Sequence, residues 1–316
     1  MADTAGQVSD LERYLDPAVL SRINRLDLRT RLVVEGFMAG LHRSPYHGLS
    51  VEFAQHREYT PGDDTRHIDW KVYSRSDRYF IKQYETETNL RCTFLVDVSE
   101  SMKYAGATRY REGLTKFHYA SCLAASLSLL LLNQQDAVGL CTFDEDLAAS
   151  LAPSANPNQI KPICHLLSQA SDSLRAKTSI AKVCHKVAEK LGRRGVVCLI
   201  SDLFVEDDGE LVRALVRLAH RGHDVMVLHV LDEEELTFPF EGNMRFVGLE
   251  EAGLLTAEPR HLRDGYLEAL GRFIRHIKRQ CVSSRVDYAT VSTSDHIGAV
   301  LSRFLTGRAS FGKRRK

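Results

Sequence analysis

The stretch Asp97-Val98-Ser99-Glu100-Ser101 follows the apolar run Thr93-Phe94-Leu95-Val96 and sets one carboxylate and two hydroxyls on a single strand-to-helix loop. These are hard oxygen donors. They suit a small hard cation such as Mg²⁺, which takes about six oxygens at roughly 2.1 Å and readily keeps some of its waters. One carboxylate with two neutral hydroxyls holds such an ion without saturating it and leaves a position for a carboxylate from another protein. The same residue types also crowd helix starts, where their oxygens accept from orphan N–H groups, so helix capping is the competing reading of this stretch taken alone.

Two further segments supply partners for it. Thr178 precedes a helical stretch from Ser179 to Leu191, and Asp202 closes the apolar run Val196-Val197-Cys198-Leu199-Ile200-Ser201. In an open α/β sheet ligands bind outside the carboxyl ends of the strands, where all three segments can meet. Further apolar runs, Ala137 to Phe143, Val225 to Val230 and Val286 to Val291, are separated mostly by helical stretches such as Arg109 to Asn133, Asp208 to His220 and Leu262 to Gln280. That alternation predicts a parallel sheet covered on both faces. Asp144-Glu145-Asp146, between two short runs, reads as a hairpin turn that adds one antiparallel edge strand.

Asp97-Val98-Ser99-Glu100-Ser101, Thr178 and Ser201-Asp202 together resemble the metal-ion-dependent adhesion site of von Willebrand factor A domains. An upstream block is more specific. It comprises Gly40-Leu41-His42-Arg43-Ser44-Pro45, Gly48-Leu49-Ser50-Val51-Glu52-Phe53, Arg57-Glu58-Tyr59-Thr60-Pro61-Gly62-Asp63-Asp64, Arg66-His67-Ile68-Asp69-Trp70 and Lys82-Gln83-Tyr84-Glu85, and it resembles the signature of the domain-of-unknown-function family fifty-eight. Members of that family are similar to von Willebrand A proteins and are typically encoded beside MoxR-type AAA+ ATPases. The resemblance spans roughly Gly36 to Arg308. It implies an α/β, von Willebrand factor A-like (Rossmann-like) doubly wound, mostly parallel sheet, with Asp97, Ser99, Ser101, Thr178 and Asp202 holding Mg²⁺, or alternatively Mn²⁺ or Ca²⁺. Lys177 and Leu203 stand where such domains often carry glycine, and Lys177 is expected to place a positive charge near the ion.

The expected organisation is an N-terminal helical segment over 1–39, a β-containing family-specific region over 40–90, the α/β domain over 91–308 and a basic tail over 309–316. With 316 residues, 44% hydrophobic and 26% charged, the chain can bury a sizeable core. Its formal net charge of +1 gives no general attraction to nucleic acid, and the tail Gly312-Lys313-Arg314-Arg315-Lys316 reads as solvated. Seven cysteines without a Cys-x-x-Cys pair, most of them inside apolar runs, read as buried thiols of a reducing compartment. The most apolar run, Ala120 to Leu132, is too short for a bilayer helix of about twenty residues and reads as the buried helix after the first strand. No membrane span and a cytoplasmic location are therefore expected.

Within the 40–90 region Arg57, Asp63, Asp64, Arg66, His67, Asp69 and Trp70 concentrate charge, an imidazole and the only tryptophan. The structural reading is a turn that fixes a hairpin, with Trp70 capping a small core and Asp69 paired to an arginine. The functional reading is a docking edge, because Trp and Arg dominate interface hot spots.

Enzymatic readings fare less well. A phosphatase of the haloacid-dehalogenase type needs a second acid two residues after the first Asp to protonate the leaving group, and here that place is Ser99. Neither Gly-x-Ser-x-Gly nor a phosphate-cradling Gly-x-x-x-x-Gly-Lys-Ser/Thr occurs. The expectation is a non-enzymatic, metal-dependent interaction module that partners a MoxR-type ATPase or a client supplying an acidic residue. A metal-dependent hydrolase and a scaffold with a vestigial site are the alternatives. Asp97 and Ser99 are expected at the sheet's rim, where replacement opens no cavity.

Overall fold

The computed structural model describes residues 51–61, 65, 68–86, 91–106, 115–172, 179–192, 195–205, 207–247 and 254–300. The expected N-terminal helices, the basic tail, Lys177, Thr178, Asp63, Asp64, Arg66 and His67 lie outside them. The chain divides into two compact units, a small one within 36–89 and a large one that carries everything from residue 90 onward.

In the small unit β1 (Val51–Glu58) pairs antiparallel with β2 (Phe80–Thr86), with a bulge between Phe53 and Gln55. Helix α1 (Trp70–Ser76) bridges them. Asp69 starts it by accepting from the N–H groups of Lys71 at 2.9 Å and Val72 at 3.3 Å, two donors that no preceding helical turn could satisfy. The helix begins at Trp70, and Ile68, two residues before it, forms an isolated bridge with Ile81.

The large unit is built on six strands: β3 (Arg91–Asp97), β4 (Ala137–Phe143), β5 (Leu147–Ser154), β6 (Gly195–Ser201), β7 (His223–Leu231) and β10 (Asp287–Ser292). Their spatial order is β10-β7-β6-β3-β4-β5. Every pairing is parallel except β4 with β5, so the Asp144–Asp146 turn produces the antiparallel edge expected of it. The central strands β3 and β6 are buried almost throughout, which is why they read as unbroken apolar runs.

Helices connect these strands, one of them preceded by a 3₁₀ turn at Pro157–Gln159. A 3₁₀ turn (Glu100–Lys103) leads toward α2 (Lys116–Asn133), whose first turn is capped by Thr115 Oγ1 accepting from the His118 N–H at 3.1 Å. Most of α2 is buried on all sides, the fate of a helix apolar around its whole circumference. The others are α3 (Ile160–Asp172), α4 (Ile180–Lys190), α5 (Asp208–His220), the short α6 (Glu233–Thr237) and α7 (Pro259–Ser283). A small hairpin of β8 (Met244–Val247) and β9 (Leu254–Ala257) precedes α7. Leu95, Phe143, Val183, Leu199, Leu215 and Val227 belong to one continuous core. All seven cysteines are buried free thiols, as their apolar settings predict.

At the antiparallel edge Gly139 of β4 lies so close to β5 that a Cβ there would sit 2.8 Å from the Leu151 carbonyl oxygen and 2.9 Å from Pro153 N. Glycine is the residue that permits this approach. The pairing slips between Val138 and Leu140 at the same place.

Candidate functional site

The chain order β3-β4-β5 runs to one side of β3, and β6-β7-β10 runs to the other. The carboxyl ends of β3 and β6 therefore flank the point where the winding direction reverses, the crevice that open α/β sheets use for ligands. Asp97 is the last residue of β3, Ser201 is the last of β6, and Asp202 follows it directly. The apolar strand pattern thus delivers both carboxylates to one edge.

Asp97 is fully buried and held from two sides. Its Oδ1 accepts from the Ser99 N–H at 2.9 Å and its Oδ2 accepts from the Ser201 hydroxyl at 2.6 Å. The hydroxyls of Ser99 and Ser101 are 3.0 Å apart. Asp202 Oδ1 accepts from the Phe204 N–H at 3.2 Å, and its Oδ2 accepts from the Lys116 ammonium at 2.7 Å. Asp97, Ser99, Ser101 and Asp202 are thus gathered at one place, while Thr178 lies outside the described residues. The rim expectation is corrected in one respect: Asp97 and Ser99 show no exposed surface, the Asp97 carboxylate being covered by Ser201 and the Ser99 N–H and the Ser99 hydroxyl lying against Ser101.

The charges of the site are unequal. Burial, reinforced by the negative charge of Asp202, pushes the Asp97 carboxyl up to about 7 despite the hydrogen bonds from Ser201 and Ser99. Burial alone would also raise Asp202, but the Lys116 charge and hydrogen bond outweigh it and hold Asp202 below the usual carboxylate range. Burial likewise opposes the Lys116 ammonium, and Asp202 with Glu235 more than reverses this. Glu235 Oε1 lies 2.9 Å from Lys116 Nζ, and its Oε2 accepts from the Asp232 N–H at 2.7 Å in a capping box that starts α6.

A supporting layer lies behind these groups. A backbone carbonyl only accepts, so His229 Nε2 carries the proton that it donates to the Asp202 carbonyl oxygen at 2.8 Å. Nδ1 is then the acceptor, taking the Tyr288 hydroxyl proton at 2.6 Å. Burial brings His229 down to about 4, which keeps this neutral tautomer at ordinary pH. Leu203 adopts φ 53°, the left-handed region glycine favours. Its buried side chain and the bond from its N–H to Ser201 Oγ at 2.9 Å hold it there. Phe204, the next residue, is 61% exposed and stands as an apolar group beside the site.

The donor set fits a hard divalent cation. It offers two carboxylates and two hydroxyls, and Asp97 is short of positive charge. Among the described residues no group of three or more His, Cys, Asp and Glu side chains could hold a metal, so an ion here must lean on the serine hydroxyls. A softer ion that prefers imidazole or thiolate finds no suitable ligands in this set.

Sequence reasoning missed Lys116 and Glu235. The available signal was a lysine at the first position of an otherwise apolar helix, a place where a charge needs a buried partner. Lys116 places a positive charge at the site, whereas Lys177, from which one was expected, lies outside the described residues.

In the small unit, Arg57 lies on β1, and Asp69 is the cap described above. Trp70 is 61% exposed and packs edge-on against Tyr73 at 6.1 Å, so it does not cap a core. The reason is its position at the first residue of a seven-residue helix that buries none of its residues. Tyr73 in turn stacks on Tyr79 at 4.5 Å.

Residues 55–272 match the model of a family described as protein of unknown function DUF58. The uncharacterized proteins Rv1480 of Mycobacterium tuberculosis and Mb1516 of Mycobacterium bovis are each 24% identical over 93% of this chain and 90% of their own length. Among solved structures, a conserved hypothetical protein BatB from Bacteroides thetaiotaomicron aligns with 19% identity and a TM-score of 0.46, over 70% of this chain and all of that one. An aerotolerance-related membrane protein from Bacteroides fragilis aligns with 19% identity and a TM-score of 0.45, over 71% of this chain and all of that one. Among the described residues of this chain no helix is long and apolar enough to cross a membrane.

Proposed function

This chain belongs to the DUF58 family, whose function is unknown, and from that premise we propose that it is a non-enzymatic, metal-dependent protein-interaction module. The observation that carries this reading is the convergence of Asp97, Ser99, Ser101 and Asp202 on the reversal point of the sheet. Together with Thr178 these residues would hold Mg²⁺, with Mn²⁺ and Ca²⁺ as alternatives. When bound, such a cation supplies a Lewis-acidic contact for a carboxylate of a partner protein.

The chain's own groups prepare that contact. Ser201 and the Ser99 N–H fix the Asp97 carboxylate in one orientation, and the Phe204 N–H does the same for Asp202. Phe204 offers exposed apolar surface next to them. Ser99 stands two residues after Asp97, at the position where phosphatase chemistry of the haloacid-dehalogenase type requires an acid. The resemblance to von Willebrand A proteins encoded beside MoxR-type AAA+ ATPases supplies the partner class: such an ATPase or its client, with this chain acting as an adaptor or chaperone-like component.

The test is co-purification of the chain with its MoxR-type ATPase in Mg²⁺, in chelator, and as the Asp97→Asn variant. The expected result is recovery in the first sample only. Equal recovery in all three would place binding on another surface.

A further inference from the structure

Lys116 is 2% exposed, and its ammonium lies 2.7 Å from Asp202 Oδ2, 2.9 Å from Glu235 Oε1 and 5.7 Å from the centre of the Tyr104 ring. It therefore touches an oxygen of the same carboxylate that would ligate a cation. An ammonium and a divalent ion are both hard positive charges, and their claims on Asp202 oppose each other. A buried ammonium cannot simply be left unpaired, because an uncompensated charge in the interior is strongly destabilising.

Glu235 resolves that difficulty. Its second oxygen is fixed by the Asp232 N–H, while Asp232 is anchored by the Thr293 hydroxyl at 2.8 Å and the Glu234 N–H at 3.0 Å. A carboxylate is thus held beside Lys116 whatever Asp202 does.

We propose that Lys116 is the resident cation of this site: it neutralises Asp202 when no ion is bound, competes with a divalent ion for that carboxylate, and stays paired through Glu235 when the ion wins. This rests on the cation-binding reading above and adds a regulator of affinity to it. The consequence is a site that releases its ion readily, suited to reversible attachment.

The experiment is calorimetric titration of the whole chain with Mn²⁺, backed by the electron paramagnetic resonance signal of free Mn²⁺, for wild type, Lys116→Met, Lys103→Met and Asp97→Asn. Lys103 is a half-buried lysine whose ammonium reaches solvent beside Glu100 at 3.6 Å, and it serves as the control for loss of a nearby charge. Removing the repulsion of one closely placed unit charge should tighten Mn²⁺ binding in Lys116→Met by at least about tenfold. Lys103→Met should change it by no more than about twofold, since exposed charges are screened. Asp97→Asn should lose the binding.

Unchanged or weaker binding in Lys116→Met, or equal tightening in Lys103→Met, overturns the inference while leaving the cation-binding reading intact. Binding by Lys116→Met but not by wild type sustains the inference and removes that reading. Absence of binding in both removes both. Should Lys116→Met fold only when Mn²⁺ is added, the inference stands, and failure to fold with or without Mn²⁺ overturns it.

Discussion

The Ser201 hydroxyl donates to Asp97 Oδ2 at 2.6 Å across two neighbouring strand ends while accepting from the Leu203 N–H at 2.9 Å. One oxygen thereby ties β3 to β6 and pins the loop that carries Asp202.

Ser201→Ala should therefore destabilise the fold. It removes one hydrogen bond from a buried carboxylate and one from a buried N–H, and losing such bonds costs roughly 1–3 kcal/mol. Urea denaturation should show a lower midpoint with an unchanged slope. A midpoint equal to that of wild type would show that this bond contributes nothing net.

Leu203→Gly sets two effects against each other. Relieving a left-handed conformation gains about 1–2 kcal/mol, whereas deleting a fully buried leucine side chain loses about 2–5 kcal/mol. The loss is the larger, so the glycine variant should melt below wild type although glycine suits φ 53° better. A variant more stable than wild type would mean that backbone strain outweighs packing here.

Chelation should barely move the melting temperature. With only two carboxylates beside the hydroxyls, and Lys116 already on one of them, affinity should be in the millimolar range. At an ion concentration equal to the dissociation constant, linkage yields about 0.4 kcal/mol. A large loss of circular dichroism signal on adding EDTA would contradict this.

Asp146 offers a pH test away from the site. The Lys186 hydrogen bond, with the Leu147 N–H, holds its carboxyl down at about 2. A carboxylate depressed in the folded state stabilises above its unfolded pKa of about 4, and that contribution is lost as pH falls through the folded value. Asp146→Asn should thus melt slightly below wild type at pH 7, since exposed pairs contribute little. The gap should close by pH 2. A gap that persists or widens in acid would point to a contact other than the charge.

Phosphatase, esterase and ATPase assays should give background rates only. Ser99 lacks the acidity that leaving-group protonation needs near neutral pH. Turnover abolished by Asp97→Asn would replace the interaction reading with a catalytic one.

The sheet was legible because its strands are short apolar runs between helices, and the edge hairpin because Asp144-Glu145-Asp146 interrupts two such runs. Asp97, Ser99, Ser101 and Asp202 were legible because each lies at or just beyond a strand end. Lys116 was not, since its partners stand 86 and 119 residues further along the chain and only the folded sheet brings them near. Trp70 misled for a related reason. A tryptophan is core-forming only when a surface is folded against it, and a seven-residue helix between two strands leaves it uncovered.

The side of β5 on which Gly139 approaches has a consequence for solubility. Edge strands with free N–H and C=O groups are templates for association with another chain. Here β4 draws the outermost strand in at a slipped register, and Pro153 sits in that strand without an N–H to offer. The missing donor and the slipped register both lie on the β4 side of β5, where Gly139 comes close to Pro153 N and the Leu151 carbonyl oxygen, so neither guards the outer border of the sheet against a further strand.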